Sequence, residues 1–136
     1  MQLPRLRLGL RSMMALVALA GVALAGADQT LRHLRLRRAA VVLGLREKQL
    51  RDGRITVDRY ISGSRDLMAA QVAVGWSRRS RMSAFRQHLD RATRALGAEM
   101  EADKLTVCSW PSADIYYAEQ MIEEDRELFR RMAGGE

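Results

Sequence analysis

Apolar residues recur every three or four positions over most of this chain, with polar residues between them, so the pattern predicts helices that each bury one face. In residues 30–52, Leu36, Leu43 and Leu50 fall seven apart, with Ala39, Ala40, Val42 and Leu45 widening the stripe. Asp28 or Thr30 is placed to cap this first helix, and Gly53 to end it in a left-handed turn. A second helix starts after Thr56, with Asp58 in its first turn where the helix dipole favours a carboxylate. Its buried face reads Val57, Tyr60, Ile61, Ser64, Leu67, Met68, Gln71 and Val74, so Ser64 and Gln71 interrupt an otherwise apolar stripe. Gly75-Trp76-Ser77-Arg78-Arg79-Ser80 breaks the period, and Ser77 or Ser80 is suited to cap the third helix. That helix carries Met82, Leu89 and Leu96 at one heptad position and Phe85, Ala92 and Glu99 at the other. This seam turns charged at Glu99 and Asp103, and the helix ends near Thr106. After Pro111, a fourth helix buries Ile115, Ala118, Met121, Ile122, Leu128, Phe129 and Met132 and stops at Gly134-Gly135.

The predicted fold class is all-α. Short connections make successive helices antiparallel, giving helical hairpins or an up-down four-helix arrangement behind an N-terminal hydrophobic segment. The turns near Gly53 and Trp110 then share one end, and the break at Trp76 lies at the other. Two prolines and 5% aromatic residues agree with helix and oppose a strand-rich fold.

The first 27 residues differ from the rest. Arg5, Arg7 and Arg11 precede 16 uncharged residues, 12–27, rich in Ala, Leu, Val and Met. Ala25-Gly26-Ala27 resembles a small-x-small cleavage site, which fits a secretory signal. Arg32, Arg35, Arg37 and Arg38 come directly after it and resist translocation, which fits an uncleaved anchor. Both readings stand. The chain accordingly divides into a signal or anchor at 1–27, a helical-hairpin domain at 28–133 and a tail at 134–136. The expected location is the cell envelope, either membrane-anchored or exported to the periplasm.

Charge sharpens the partner question. Residues 1–98 hold 19 Lys and Arg against 6 Asp and Glu, whereas residues 99–136 hold 4 against 10. Arginine outnumbers lysine 21 to 2, and no aromatic residues interleave with the arginines to stack bases, so nucleic acid is not the expected partner. The single cysteine, Cys108, has no internal disulfide partner.

Motifs that carry catalysis are missing from the sequence. It has no Gly-rich phosphate loop, nucleophile elbow, paired-cysteine zinc spacing or His-Glu-x-x-His helix. The two histidines lack the Glu-x-x-His spacing of di-iron bundles, because Thr30 precedes His33 and Phe85 precedes His88 by three; both read as ordinary flanking residues. Glu119, Glu123, Glu124, Asp125 and Glu127 read as a solvated acidic face meeting arginines. No catalytic, cofactor-binding or metal-binding residue is expected. Trp76 and Trp110 each lie at a turn, where a tryptophan packs over a helix end or anchors a partner.

The two turns are related. Thr56-Val57-Asp58-Arg59-Tyr60 and Ser112-Ala113-Asp114-Ile115-Tyr116 match in hydroxyl, small apolar residue, aspartate and tyrosine. Gly53-Arg54-Ile55-Thr56-Val57-Asp58-Arg59-Tyr60, continuing to Leu67-Met68-Ala69-Ala70-Gln71, resembles the turn-and-helix element of the outer-membrane efflux protein (TolC-type) family. There a Gly, then Ser or Thr, then Asp begins a helix that continues with Ala, Gln and Leu. Cys108 to Glu119 resembles that family's second such element, with Cys or Ser in place of glycine. The resemblance implies that Gly53, Thr56, Asp58, Ser112 and Asp114 are hairpin-tip residues, at the end where the family's channels meet an adaptor. The family's chains are several times longer and carry barrel strands between their hairpins, and nothing in this sequence reads as a barrel strand. The resemblance therefore implies a small stand-alone module rather than a channel.

The expected function is that of a non-enzymatic, exported or membrane-anchored helical-hairpin protein. It would bind a protein partner or itself through heptad faces, contact the membrane through residues 12–27, and present Gly53, Thr56, Asp58, Trp110, Ser112 and Asp114 as its interaction end. The alternative is a cytoplasm-facing anchored protein whose Arg-rich helices bind nucleic acid or anionic lipid.

Overall fold

The computed structural model describes residues 10–105 and 113–134. They form four helices: α1 (Leu10–Arg51), α2 (Val57–Val74), α3 (Arg78–Leu105) and α4 (Ala113–Gly134). No strand occurs among the described residues, as the periodicity requires. Helix α2 is the hub, packing against α1, α3 and α4, while α3 also packs against α4.

Contacts fix the directions. Arg46 of α1 reaches the Arg59 carbonyl of α2 and Arg32 reaches that of Ala73, so α1 and α2 are antiparallel. Phe85 meets Phe129 with ring centroids 6.3 Å apart, and Arg78 reaches the carbonyls of Met132 and Ala133, so α3 and α4 are antiparallel too. The core forms where α2 faces its neighbours. Val57, Tyr60, Ile61 and Leu67 pack with Leu43 of α1, Ala92 of α3, and Ala118 and Ile122 of α4. Met68, Ala84 and Phe85 form a second cluster toward the α2–α3 turn.

The turn at Gly53 is built as its sequence predicts. Gly53 has φ +67°, and the N–H groups of Gly53 and Arg54 donate to the carbonyls of Leu50 and Gln49 at 3.0 and 2.8 Å. These two bonds are the paired closures of a Schellman motif, which needs a residue that tolerates the left-handed region. Gly53→Ala is expected to destabilise the fold by about 1–2 kcal/mol, read as a lower urea midpoint with unchanged slope. At the next turn the Ser77 hydroxyl caps α3 by accepting from the Ser80 N–H at 3.1 Å.

Several sequence expectations are corrected, among them Leu128, expected in the buried stripe of α4 and found exposed. No cap forms at Asp28 or Thr30, because α1 runs unbroken from the apolar segment into the core-facing half. Thr30 instead donates back to the Gly26 carbonyl at 2.9 Å, and Asp28 pairs with Arg32 one turn on. With no break there are no orphaned N–H groups for a cap to serve. Another correction concerns α3. Its buried residues are Ala84, Phe85, His88 and Ala92, while Met82, Leu89 and Leu96 are half-buried. The buried stripe is turned by one position so that His88, not Leu89, points inward.

Helix α1 is about 63 Å long at 1.5 Å per residue, far longer than its 18-residue partner α2. Its lower half contributes Leu36, Ala39, Leu43 and Leu50 to the core. Every described side chain from residue 13 to residue 35 is exposed. Val17 and Leu24 are 71% and 72% bare.

Candidate functional site

Three polar residues meet at the centre of the fold: Ser64, expected as a flaw in the α2 stripe, His88, expected as a flanking residue, and Asp125, expected on a solvated acidic face and found buried instead. Ser64 of α2 and His88 of α3 have no exposed surface, and Asp125 of α4 is 4% exposed. Each occupies a core register on its own helix, with apolar neighbours three or four residues away: Tyr60, Ile61 and Leu67 for Ser64, Ala84, Phe85 and Ala92 for His88, Ile122 and Phe129 for Asp125. Helical periodicity therefore drives them inward together.

The hydrogen bonds run in one direction. The Arg91 Nε–H donates to the Ser64 Oγ at 3.1 Å, which leaves the hydroxyl proton of Ser64 to reach His88 Nδ1 at 2.9 Å. His88 Nε2 then lies 2.8 Å from Asp125 Oδ2. A proton on His88 Nε2 satisfies Ser64, His88 and Asp125 together, while Nη2 of Arg91 is buried without a hydrogen-bond partner. Arg65 closes the far end, its Nε donating to Asp125 Oδ2 and its terminal nitrogen lying 3.0 Å from Oδ1 and 3.1 Å from the Met121 carbonyl. Burial pushes the Asp125 carboxyl up, but the hydrogen bonds from His88 and Arg65 and the charge of Arg65 outweigh it. The carboxyl is therefore held below the usual carboxylate range.

A serine, a histidine and an aspartate in line are the parts of an acyl-transfer triad, and geometry decides whether they act as one. A nucleophile has to touch its substrate, and Ser64 is enclosed. A surface groove of about 500 Å³ between α1, α2 and α3 is lined by Tyr60, Arg91 and Arg94 and does not reach Ser64. The cluster ties three helices into a single register. Sequence reading missed it because each polar residue was weighed alone. The signal was that Ser64 and Asp125 sit within otherwise apolar stripes.

The residues expected at the interaction end are partly in view. Gly53 and Thr56 are exposed, and Thr56 stands at the N-cap of α2 in extended conformation without a side-chain capping bond. Asp58 is half-buried, and its Oδ1 has no hydrogen-bond partner. Asp114 lies half-buried in the first turn of α4, at the same end of the bundle. Trp110 and Ser112, like Cys108, lie outside the described residues. Tyr60 is buried against this end, whereas Tyr116 and Tyr117 are exposed and meet edge-on at 6.0 Å.

No cluster of three or more metal-ligating side chains occurs among the described residues. On the acidic face of α4, Glu123 pairs with Arg126 and Arg130, and Glu127 with Arg131. Glu124 lies 3.6 Å from Arg65 of α2. No family model matches this chain, and neither a curated protein nor a solved structure matches it.

Proposed function

We propose that this protein is a membrane-anchored, non-enzymatic interaction module, in which α1 crosses the bilayer and the α2–α4 bundle holds its Gly53 end toward a protein partner. One observation carries this reading. The bare apolar stretch of α1 continues without a break into the half of the same helix that is packed into the core, so an anchor in that stretch would be joined to the bundle by continuous helix. Twenty-four residues of helix separate Ala27 from Arg51, which puts the Gly53 turn about 36 Å from the end of the uncharged segment. The buried cluster supports the same reading, since it gives the bundle one fixed shape to present. The resemblance to efflux hairpins adds that such turn ends serve as docking ends in that family.

Intact mass after membrane and soluble fractionation tests the anchor. The expected result is a chain that retains residues 1–27 and is found in the membrane fraction. A soluble chain lacking them would overturn the anchor in favour of a cleaved signal and an exported module. A second reading, binding of polyanions through the Arg-rich part of α1, draws on Arg35, Arg37 and Arg38, which are exposed and make no ion pair among the described residues. It requires binding that weakens steeply with salt.

A further inference from the structure

Trp76 is 84% exposed, in the short turn between α2 and α3. Its position along α1 is fixed by neighbours. The Arg32 guanidinium donates to the Ala73 carbonyl at 3.2 Å, and a surface groove of about 280 Å³ at this end joins Ala25, Gln29 and His33 of α1 to Val74, Gly75 and Trp76. The tryptophan is therefore level with the place where the uncharged stretch of α1 ends and its arginines begin. Arg79 and Arg81 open α3 beside it, both exposed and without an ion-pair partner among the described residues.

We infer that the α2–α3 turn is a second membrane contact, with Trp76 seated in the headgroup layer and Arg79 and Arg81 against anionic lipid phosphates. This rests on the anchor reading of α1 and adds a surface to it. An indole is amphipathic and concentrates at the membrane–water boundary. Arginines near an anionic leaflet each favour association by roughly fivefold. If α1 spans the bilayer, Trp76 is brought to that boundary by the same helix pairing that builds the core, and no further folding is needed. The two contacts together orient the bundle, so that its Gly53 end points away from the membrane.

The test uses the full chain with Trp110→Phe, leaving Trp76 as the sole tryptophan, reconstituted in phosphatidylglycerol–phosphatidylcholine vesicles. Spin labels are placed either near the headgroup or deep in the acyl chain, and protection of α1 from protease is followed in the same samples. The expected result is a protected α1 and Trp76 emission quenched more strongly by the shallow label. Arg79→Glu with Arg81→Glu should cut that quenching at least about twofold, consistent with the loss of two arginine contacts. A protected α1 with unquenched Trp76 overturns this inference and leaves the anchor standing. An unprotected α1 overturns both. Equal quenching in pure phosphatidylcholine overturns the role of the arginines.

Discussion

Asp125→Leu is expected to cost about 1–3 kcal/mol, the range for leaving a buried donor without its acceptor. The loss is large because the carboxylate is the common acceptor for two elements: it takes His88 Nε2–H from α3 and the Arg65 guanidinium from α2. Removing it strands the His88 Nε2–H in a core that excludes water, where an unsatisfied polar group is penalised in full, whereas the part-exposed Arg65 keeps the Met121 carbonyl and Glu124. A domain of this size has roughly 5–15 kcal/mol of stability, so the variant should unfold at a clearly lower urea midpoint. His88→Leu with Asp125→Leu should lose less than Asp125→Leu alone, since the stranded histidine goes while Ser64 still accepts from Arg91. Urea titration followed by far-ultraviolet circular dichroism separates the two cases. Equal losses would show that packing volume, not polar pairing, carries the site.

The same residue sets an acid dependence. The folded-state value of Asp125 lies below its unfolded one, so its contribution is fully present above the ordinary carboxylate range of about 4 and fades as pH falls through the depressed folded value. Asp125→Asn should remove that part of the acid sensitivity, and its stability should converge on that of the natural chain at low pH.

Val17→Arg with Leu24→Arg is expected to move the protein from the membrane to the soluble fraction. An arginine near the middle of a spanning helix costs about 2.5–3.5 kcal/mol on the insertion scale, and one there with a second nearer the end outweighs what 16 uncharged residues with many alanines supply. Both side chains are bare in the folded chain, so helicity and the urea midpoint of the bundle should not change. Continued membrane association with native helicity would mean that another surface holds the protein to the bilayer. Loss of helicity would mean that this segment is part of the core, against its observed exposure.

Much of the fold is legible in the pattern of residues. The break at residues 75–77, the left-handed Gly53 and the Ser77 cap all appear where local chemistry places them. These features depend on residues within one or two turns of each other, so neighbouring positions carry the information. The caps expected at Asp28 and Thr30 fail for the complementary reason. Nothing in Asp28-Gln29-Thr30 stops a helix that arrives already formed from the apolar segment.

By itself the sequence determined an all-α chain with the turns at Gly53 and at residues 75–77 in place and a long apolar N-terminal helix, because hydrophobic period, glycine and capping residues act locally. Only the tertiary structure decided that His88 lies inside, 37 residues from Asp125 and 24 from Ser64 along the chain, and that Trp76 stands bare beside the end of the apolar segment. The reason is one of register. A one-position rotation of α3 changes which side chain is buried, and that rotation is set by what α2 and α4 offer in return: a hydroxyl and a carboxylate at matching heights, which no single helix records.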